Sequence, residues 1–202
     1  MLLPKYNSEG LIEAGCDEAG RGCLAGSVFA AAVILPADYQ NDLLNDSKQL
    51  SAKKRYALRE QIERDAIAWA VGIVTAEEID EINILNASIL AMHRALEQVE
   101  KKLKFDHIII DGNRFKPYKS VAYQTVVKGD GKYMSIAAAS ILAKVARDRI
   151  CIDLDRDYPQ YGIAKHKGYG TKAHMDALRQ FGPSPIHRKQ FIRFLDNNET
   201  KE

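Results

Sequence analysis

The sequence is poor in the features that would tie it to an oxidising compartment or to a membrane. Its three cysteines, Cys16, Cys23 and Cys151, are an odd number and form no CxxC pair. That argues against a disulfide framework and offers no thiolate zinc motif. They read as small buried apolar residues of a reduced, cytoplasmic protein. No basic stretch followed by a long apolar run opens the chain, so no secretory signal is expected. The longest apolar stretch, Val28 to Pro36, is too short to span a bilayer. Neither sign of charge dominates, the net being +2 over 202 residues. Apolar residues make up 46% of the chain, enough for a sizeable core in one large domain or in a domain with a small appendage.

The small net charge conceals an asymmetry. Residues 1–111 carry 12 Lys/Arg against 18 Asp/Glu, a balance of −6, and residues 112–202 carry 17 against 9, a balance of +8. An acidic half beside a basic half suits a protein that holds cations with one face and a polyanion with another, although a solvated helical surface gives the same tally.

Residues 11–17 and 25–35 are β-prone runs separated by a glycine-rich stretch, and they predict a hairpin with a wide irregular turn. Residues 51–65 predict a helix capped by Ser51, and 66–74 a third strand. Thr75 and Glu78 form a capping box. Behind it a helical pattern of Ile79, Ile82, Ile89, Leu90, Leu96 and Val99 runs towards Leu103, with a break near Asn83. His107 to Ile110 reads as a short buried strand and 121–127 as an alternating one. Ser135 to about Asp157 is strongly helical, Ala173 to Gln180 is a shorter helix, and an amphipathic stretch runs from His187 to Leu195. Strands followed by alternating helices and strands predict an α/β fold, one mixed sheet covered by helices. The boundaries expected are a main domain over 1–157 and a small helical subdomain over 158–202 packed at one edge.

Four acids fall at predicted strand ends. Asp17 and Glu18 close the first strand just before Gly20-Arg21-Gly22, Asp111 ends the run HIIID, and Asp130 follows the last strand. Each also reads as a turn residue, Asp111 and Asp130 through Asx chemistry. Adjacent side chains on a strand face opposite ways, so Asp17 and Glu18 share one site only if the backbone twists or a main-chain carbonyl joins in. Carboxylates without a Cys/His cluster suit hard, oxygen-loving cations such as Mg²⁺. Two ions would relieve the repulsion among the acids and towards a phosphodiester, one generating a hydroxide nucleophile and the other stabilising the leaving oxygen. The glycines around Arg21 let main-chain N–H groups approach a sugar or phosphate. Lys48, Lys128, Lys144 and Arg147 are candidate phosphate contacts, more often simply solvated. Tyr169, between two glycines in a basic loop, is placed to pack on a sugar or base. The small residues of Ser135–Ser140 are read as close packing of a helix on the sheet in preference to an anion site. Asp148 is read as an ion-pair partner.

Six ordered blocks carry a resemblance: GCDEAGRGCLAG (15–26), NDSKQLS (45–51), IIIDGN (108–113), KGDGKYMSIAAASILAKVARDR (128–149), HKGYGT (166–171) and GPSPIHRKQF (182–191). Along nearly its whole length the sequence resembles bacterial ribonuclease HII. The resemblance implies a ribonuclease H-like mixed five-stranded sheet flanked by helices, with a small C-terminal helical subdomain. It implies hydrolysis 5′ to ribonucleotides in RNA–DNA hybrids and at single ribonucleotides embedded in duplex DNA, leaving 3′-hydroxyl and 5′-phosphate ends. It implies Mg²⁺ or Mn²⁺, two per site, on Asp17, Glu18, Asp111 and Asp130, and a role in ribonucleotide removal. Gly20, Arg21, Gly22 and Tyr169 match the family's device for sensing the 2′-hydroxyl, with Lys48, His187 and Arg188 as further substrate contacts. Ser27 and Gln190 depart from the family pattern, where proline and serine are common, and the second departure loosens the assignment of His187 and Arg188. Ribonuclease HIII shares the acids, but Arg21 and the early start of the catalytic block favour type 2. A two-carboxylate glycosidase does not explain the basic half, and a non-catalytic hybrid-binding module does not explain four retained acids. The expected partner is nucleic acid, with a monomeric chain and no membrane. QFIRFL (190–195) faintly resembles a sliding-clamp peptide, a packing helix being the preferred reading.

Overall fold

The computed structural model describes residues 2–7, 10–44, 47 and 49–195. Lys48 therefore lies outside the described residues. Five strands, β1 (Glu13–Ala19), β2 (Val28–Ile34), β3 (Ala68–Val74), β4 (His107–Asp111) and β5 (Ala122–Val126), form one sheet in the order β3-β2-β1-β4-β5. β1 and β2 are the antiparallel hairpin read from the sequence, β3 extends it antiparallel, and β4 and β5 add in parallel on the other side of β1. The mixed sheet follows from the connections: the β2–β3 and β3–β4 links carry α1 (Ala52–Asp65), then α2 (Ala76–Ile82) and α3 (Ile84–Glu100). Ser51 caps α1, and Thr75 with Glu78 forms the capping box of α2. The helix breaks at Asn83, where φ is 65°; its side chain then accepts from Asn86 N to open α3.

The two faces of the sheet bury different helices. Ala87, Ala91 and Ala95 of α3 lie with Ala14, Cys16, Ile108 and Ile110 on one face. On the other, α4 (Met134–Asp157) sets Ala137, Ala138, Ala139, Ile141 and Leu142 with Ala31 and Val33, under α1. The small residues of α4 let it approach closely, and a Cβ at Gly15 would lie 2.4 Å from Ser135 Oγ. The outer edge of β3 is closed by side chains of α3 and the residue beyond it. Arg94, Gln98 and Lys102 donate to the carbonyls of Ile73, Val71 and Trp69 at 2.6, 3.1 and 3.1 Å. Four residues of helix rise about 6 Å, close to two residues of strand at about 6.6 Å, so one side-chain row satisfies a strand edge that would otherwise invite pairing.

The tail comprises α5 (Ile163–His166), α6 (Lys172–Phe181) and short 3₁₀ turns at Pro159–Tyr161 and Lys189–Phe191. Tyr161, Ile163, Leu178 and Ile192 pack with Ala25 of the β1–β2 turn and Cys151 of α4. The packing helix preferred for 190–195, within the amphipathic stretch from His187 to Leu195, is not formed; only the 3₁₀ turn at Lys189–Phe191 is. Instead the Asp80 carboxylate of α2 captures the N–H groups of Lys189 and Gln190 at 2.9 and 3.1 Å, fixing a tight turn that seats Ile192 in the tail's core. Among the described residues no helix is long and apolar enough to cross a membrane.

Candidate active site

The parallel pairing of β1 with β4 brings two acids side by side. Cys16 registers with Ile110, so Asp17 and Asp111 follow as the next residues of adjacent strands, roughly 5 Å apart across the ladder. Both lie on the α4 face by alternation, Asp17 with Gly15 and Asp111 with Ile109, which packs on Ile136. Ser140 of α4 stands beside the Asp17 carboxylate, where its hydroxyl favours the ionised form, and Ser47 lies 2.9 Å from the Ser140 hydroxyl. Asp130 is buried in a 3₁₀ turn over Gly129–Gly131 that follows β5. The Gly129 N–H donates to Asp111 Oδ1 at 2.7 Å, tying that turn to the strand end. Glu18 follows Asp17 on β1, close enough for its charge to act on the Asp17 carboxyl, and its own carboxylate meets Arg21 at 3.2 Å.

Asp17 carries the electrostatic signature of the cluster. Burial, then the charge of Glu18, then that of Asp111 hold its carboxyl well above the usual carboxylate range, while Ser140 and the Glu18 N–H at 2.7 Å oppose the shift. Among the described residues neither Asp17 nor Asp111 is in an ion pair, since the cations present engage other acids. Also among the described residues, no three His, Cys, Asp or Glu side chains converge as they stand on a metal-holding arrangement. The two observations are reconciled by where the oxygens are engaged: Asp17 with Glu18 N–H, Asp111 with Gly129 N–H, Glu18 with Arg21. The donor chemistry, oxygen only and anionic, fits a hard divalent cation, which would relieve the repulsion that raises Asp17.

Beside the acids stands a platform built from distant segments. The turn between β1 and β2 is clasped by the tail: Cys23 bridges to Tyr169 and Ala25 to His187, Leu24 N–H donates to Gly168 O at 2.8 Å, and Gly26 N–H to Ile186 O at 2.8 Å. Tyr169 is 44% exposed, and its ring lies 5.9 Å from the Arg147 guanidinium. Gly20 has φ +95°, and a Cβ there would stand 2.1 Å from Arg147 Nε. Gly22, by contrast, is exposed, and a Cβ added to it would meet nothing within 4 Å.

Two expected phosphate contacts turn out to be internal. Arg188 has no exposed surface; its Nε and Nη1 donate to the carbonyls of Gly26 and Arg21 at 2.8 and 2.9 Å, and burial pushes its pKa down to about 10. His187 is 3% exposed and faces His174. Both therefore shape the loop instead of meeting solvent. Arg147, read as a candidate phosphate contact or a solvated cation, is 2% exposed beneath the same loop. Lys144 is paired with Asp148 at 2.6 Å, and Arg55 approaches the same acid at 3.7 Å. Ser140 and Ser47 were not foreseen as site residues; Ser140 was read only as part of a small-residue run and Ser47 only as part of the block NDSKQLS.

Sequence comparison decides what this arrangement is. The family model described as ribonuclease HII matches residues 14–194. The chain belongs to the ribonuclease HII family. It is a ribonuclease H, an endonuclease that hydrolyses phosphodiesters in nucleic acid. A ribonuclease HII of Phocaeicola vulgatus is 64% identical over 191 residues, spanning 95% of this chain and 94% of that protein. Among solved structures, ribonuclease H2 from Pyrococcus horikoshii superposes with a TM-score of 0.74 at 26% identity, covering 94% of this chain and 99% of that one. Ribonuclease HII from Archaeoglobus fulgidus, solved in complex with PCNA, gives 0.73 at 26% identity, covering 90% and 95%. The mixed five-stranded sheet with flanking helices is thus a ribonuclease H-like fold.

Proposed function

We propose that this chain cuts the phosphodiester on the 5′ side of ribonucleotides, in RNA–DNA hybrids and at single ribonucleotides within duplex DNA, leaving 3′-hydroxyl and 5′-phosphate ends. Asp17, Glu18, Asp111 and Asp130 would hold two divalent cations, Mg²⁺ or Mn²⁺. Bound there, such ions supply Lewis acidity towards the phosphoryl oxygens and lower the pKa of a coordinated water. The residues themselves do the placing. Ser140 and the Glu18 N–H fix the Asp17 carboxylate, and Gly129 N–H fixes Asp111.

The observation that carries the sugar-reading half is the contrast between two glycines. Gly20 is required by its own fold, through a positive φ and the contact with Arg147. Among the described residues nothing lies within 4 Å of a Cβ added at Gly22, which leaves its main chain open to approach from outside. A bare main chain a few residues beyond the metal-site acids, beside a half-exposed Tyr169 ring, suits close approach of a ribose and its 2′-hydroxyl. Cleavage of a DNA duplex carrying one ribonucleotide, with an all-DNA control and mapped ends, tests this reading; cutting of the control, or none of the ribonucleotide strand in the presence of Mg²⁺ and Mn²⁺, contradicts it.

The tail from residue 158 acts in this reading as a subdomain on the catalytic domain, supplying Tyr169. The enzyme is placed in the cytoplasm as a monomer working in ribonucleotide removal. The archaeal complex with PCNA keeps a sliding clamp among the partners to test. In Gln190–Leu195, however, Ile192 is buried and Phe194 and Leu195 pack beside it, so that segment is not free to dock as it stands.

A further inference from the structure

Two imidazoles sit where hydrolysis has no use for them. His174, on α6, is wholly buried and His187 nearly so. Their Nε2 atoms face each other at 3.0 Å, which requires one donor and one acceptor. The outer nitrogens decide which is which. His187 Nδ1 lies 3.1 Å from the Ser184 N–H, which only donates, and 2.9 Å from the Ser184 hydroxyl, which can donate alongside it, so Nδ1 accepts and the proton of a neutral His187 sits on Nε2. His174 Nδ1 lies 3.0 Å from the Tyr169 carbonyl oxygen, which only accepts, so there Nδ1 carries the proton and Nε2 accepts. Every bond then runs one way, from Ser184 through His187 and His174 to Tyr169. A proton added to either ring sets two N–H groups against each other. Burial holds both rings below the ordinary imidazole value, His187 at about 4.

The carbonyl at the end of this chain belongs to the residue with the exposed ring. Thr171 N–H, at 2.8 Å, is its other partner. At the opposite end, the Ser184–His187 turn runs directly into Arg188, which grips the carbonyls of Arg21 and Gly26. The imidazole pair therefore closes a circuit between Tyr169 and the Gly20–Gly22 segment, two pieces far apart in the sequence. We propose that His174 and His187 are positioning residues that fix Tyr169 against Gly20–Gly22 and so set the enzyme's discrimination at a lone ribose. The inference rests on the reading of those residues as the sugar sensor.

The test uses the full chain. The readout is the ratio of kcat/KM on a duplex with one ribonucleotide to that on a continuous RNA–DNA hybrid. His174→Asn keeps a side-chain N–H near the Nδ1 position, whereas His174→Gln carries its amide towards His187 and leaves the Tyr169 carbonyl without it. The glutamine variant is expected to lower the ratio about tenfold or more, the asparagine variant to restore most of it, and Tyr169→Ala to lower it with no further loss in the double variant. Long-range ¹H–¹⁵N spectra of the unmutated protein should show His174 protonated at Nδ1 and His187 at Nε2. Reversed tautomers, or a glutamine variant with the wild-type ratio, overturn the proposal. If Tyr169→Ala loses the ratio and His174→Gln does not, only this inference falls; if Tyr169→Ala keeps it, the sugar-sensor reading falls and takes the inference with it.

Discussion

Alanine at Gly20 and at Gly22 should separate what the fold needs from what the substrate needs. At Gly20 the left-handed φ of +95° costs a residue with a Cβ roughly 1–2 kcal/mol. The methyl would also stand 2.1 Å from Arg147 Nε, a buried side chain packed under Tyr169, and overpacking of that kind costs about 1–3 kcal/mol. The sum is about 2–5 kcal/mol, or a fall in Tm of roughly 5–20 °C for a chain of this size. At Gly22 neither cost applies, so stability should stay within about 0.5 kcal/mol. Catalysis should respond in the opposite proportion. A methyl in the path of the ribose displaces the scissile phosphate by about 1 Å, a misplacement worth on the order of 100-fold. Thermal melting and kcat/KM on a duplex with one ribonucleotide measure both effects. If Gly22→Ala melts as low as Gly20→Ala, or cleaves like the wild type, the assignment of Gly22 to substrate approach is wrong.

Further predictions concern the acids and the buried histidines. Asp111→Asn should lose orders of magnitude in cleavage rate while duplex binding, followed by gel shift, stays near wild type; retained turnover would contradict its role. Asp17 has a folded-state pKa above its unfolded value, so its ionised form opposes folding: stability is greatest at low pH and is lost as pH rises through the folded value. Metal-free Asp17→Asn should accordingly melt higher than wild type at pH 7, with the gap closing as pH falls and also on adding Mg²⁺, which only the wild type gains from; a lower Tm at pH 7 would refute this. His187 is the reverse case, its folded pKa depressed to about 4, so stability is full above about 6.5 and falls as pH drops towards 4. Replacing it with glutamine should remove on the order of 3 kcal/mol of that slope from denaturation curves, and an unchanged slope would count against the neutral pair.

The sheet was legible because its strands are short, strongly patterned and bounded by turn chemistry. The break at Asn83 and the caps at Ser51 and Thr75 were equally local. What sequence spacing could not place was anything set by long-range docking. Arg147 and Arg188 look like surface cations in the sequence, yet the clasp of the tail on the β1–β2 turn buries both and aims them at main-chain carbonyls. The final helix failed for the same reason, since Asp80, over a hundred residues away, supplies acceptors that a helical periodicity does not register. Of the four acids, the positions of Asp17 and Asp111 near the ends of adjacent strands could be read directly. The support of Asp17 by Ser140 was hidden in a run of small residues that serves packing as well.

We propose that four carboxylates and a main-chain sugar sensor make this a nuclease for ribonucleotides in duplexes. The most direct test is a DNA duplex with a single ribonucleotide, incubated with Mg²⁺, with Mn²⁺ or with chelator, beside an all-DNA duplex. One cut 5′ to the ribonucleotide, with 3′-hydroxyl and 5′-phosphate ends, dependent on the cation and absent from the control, is the predicted result. Cleavage that persists in chelator, falls elsewhere or extends to the all-DNA duplex would contradict it.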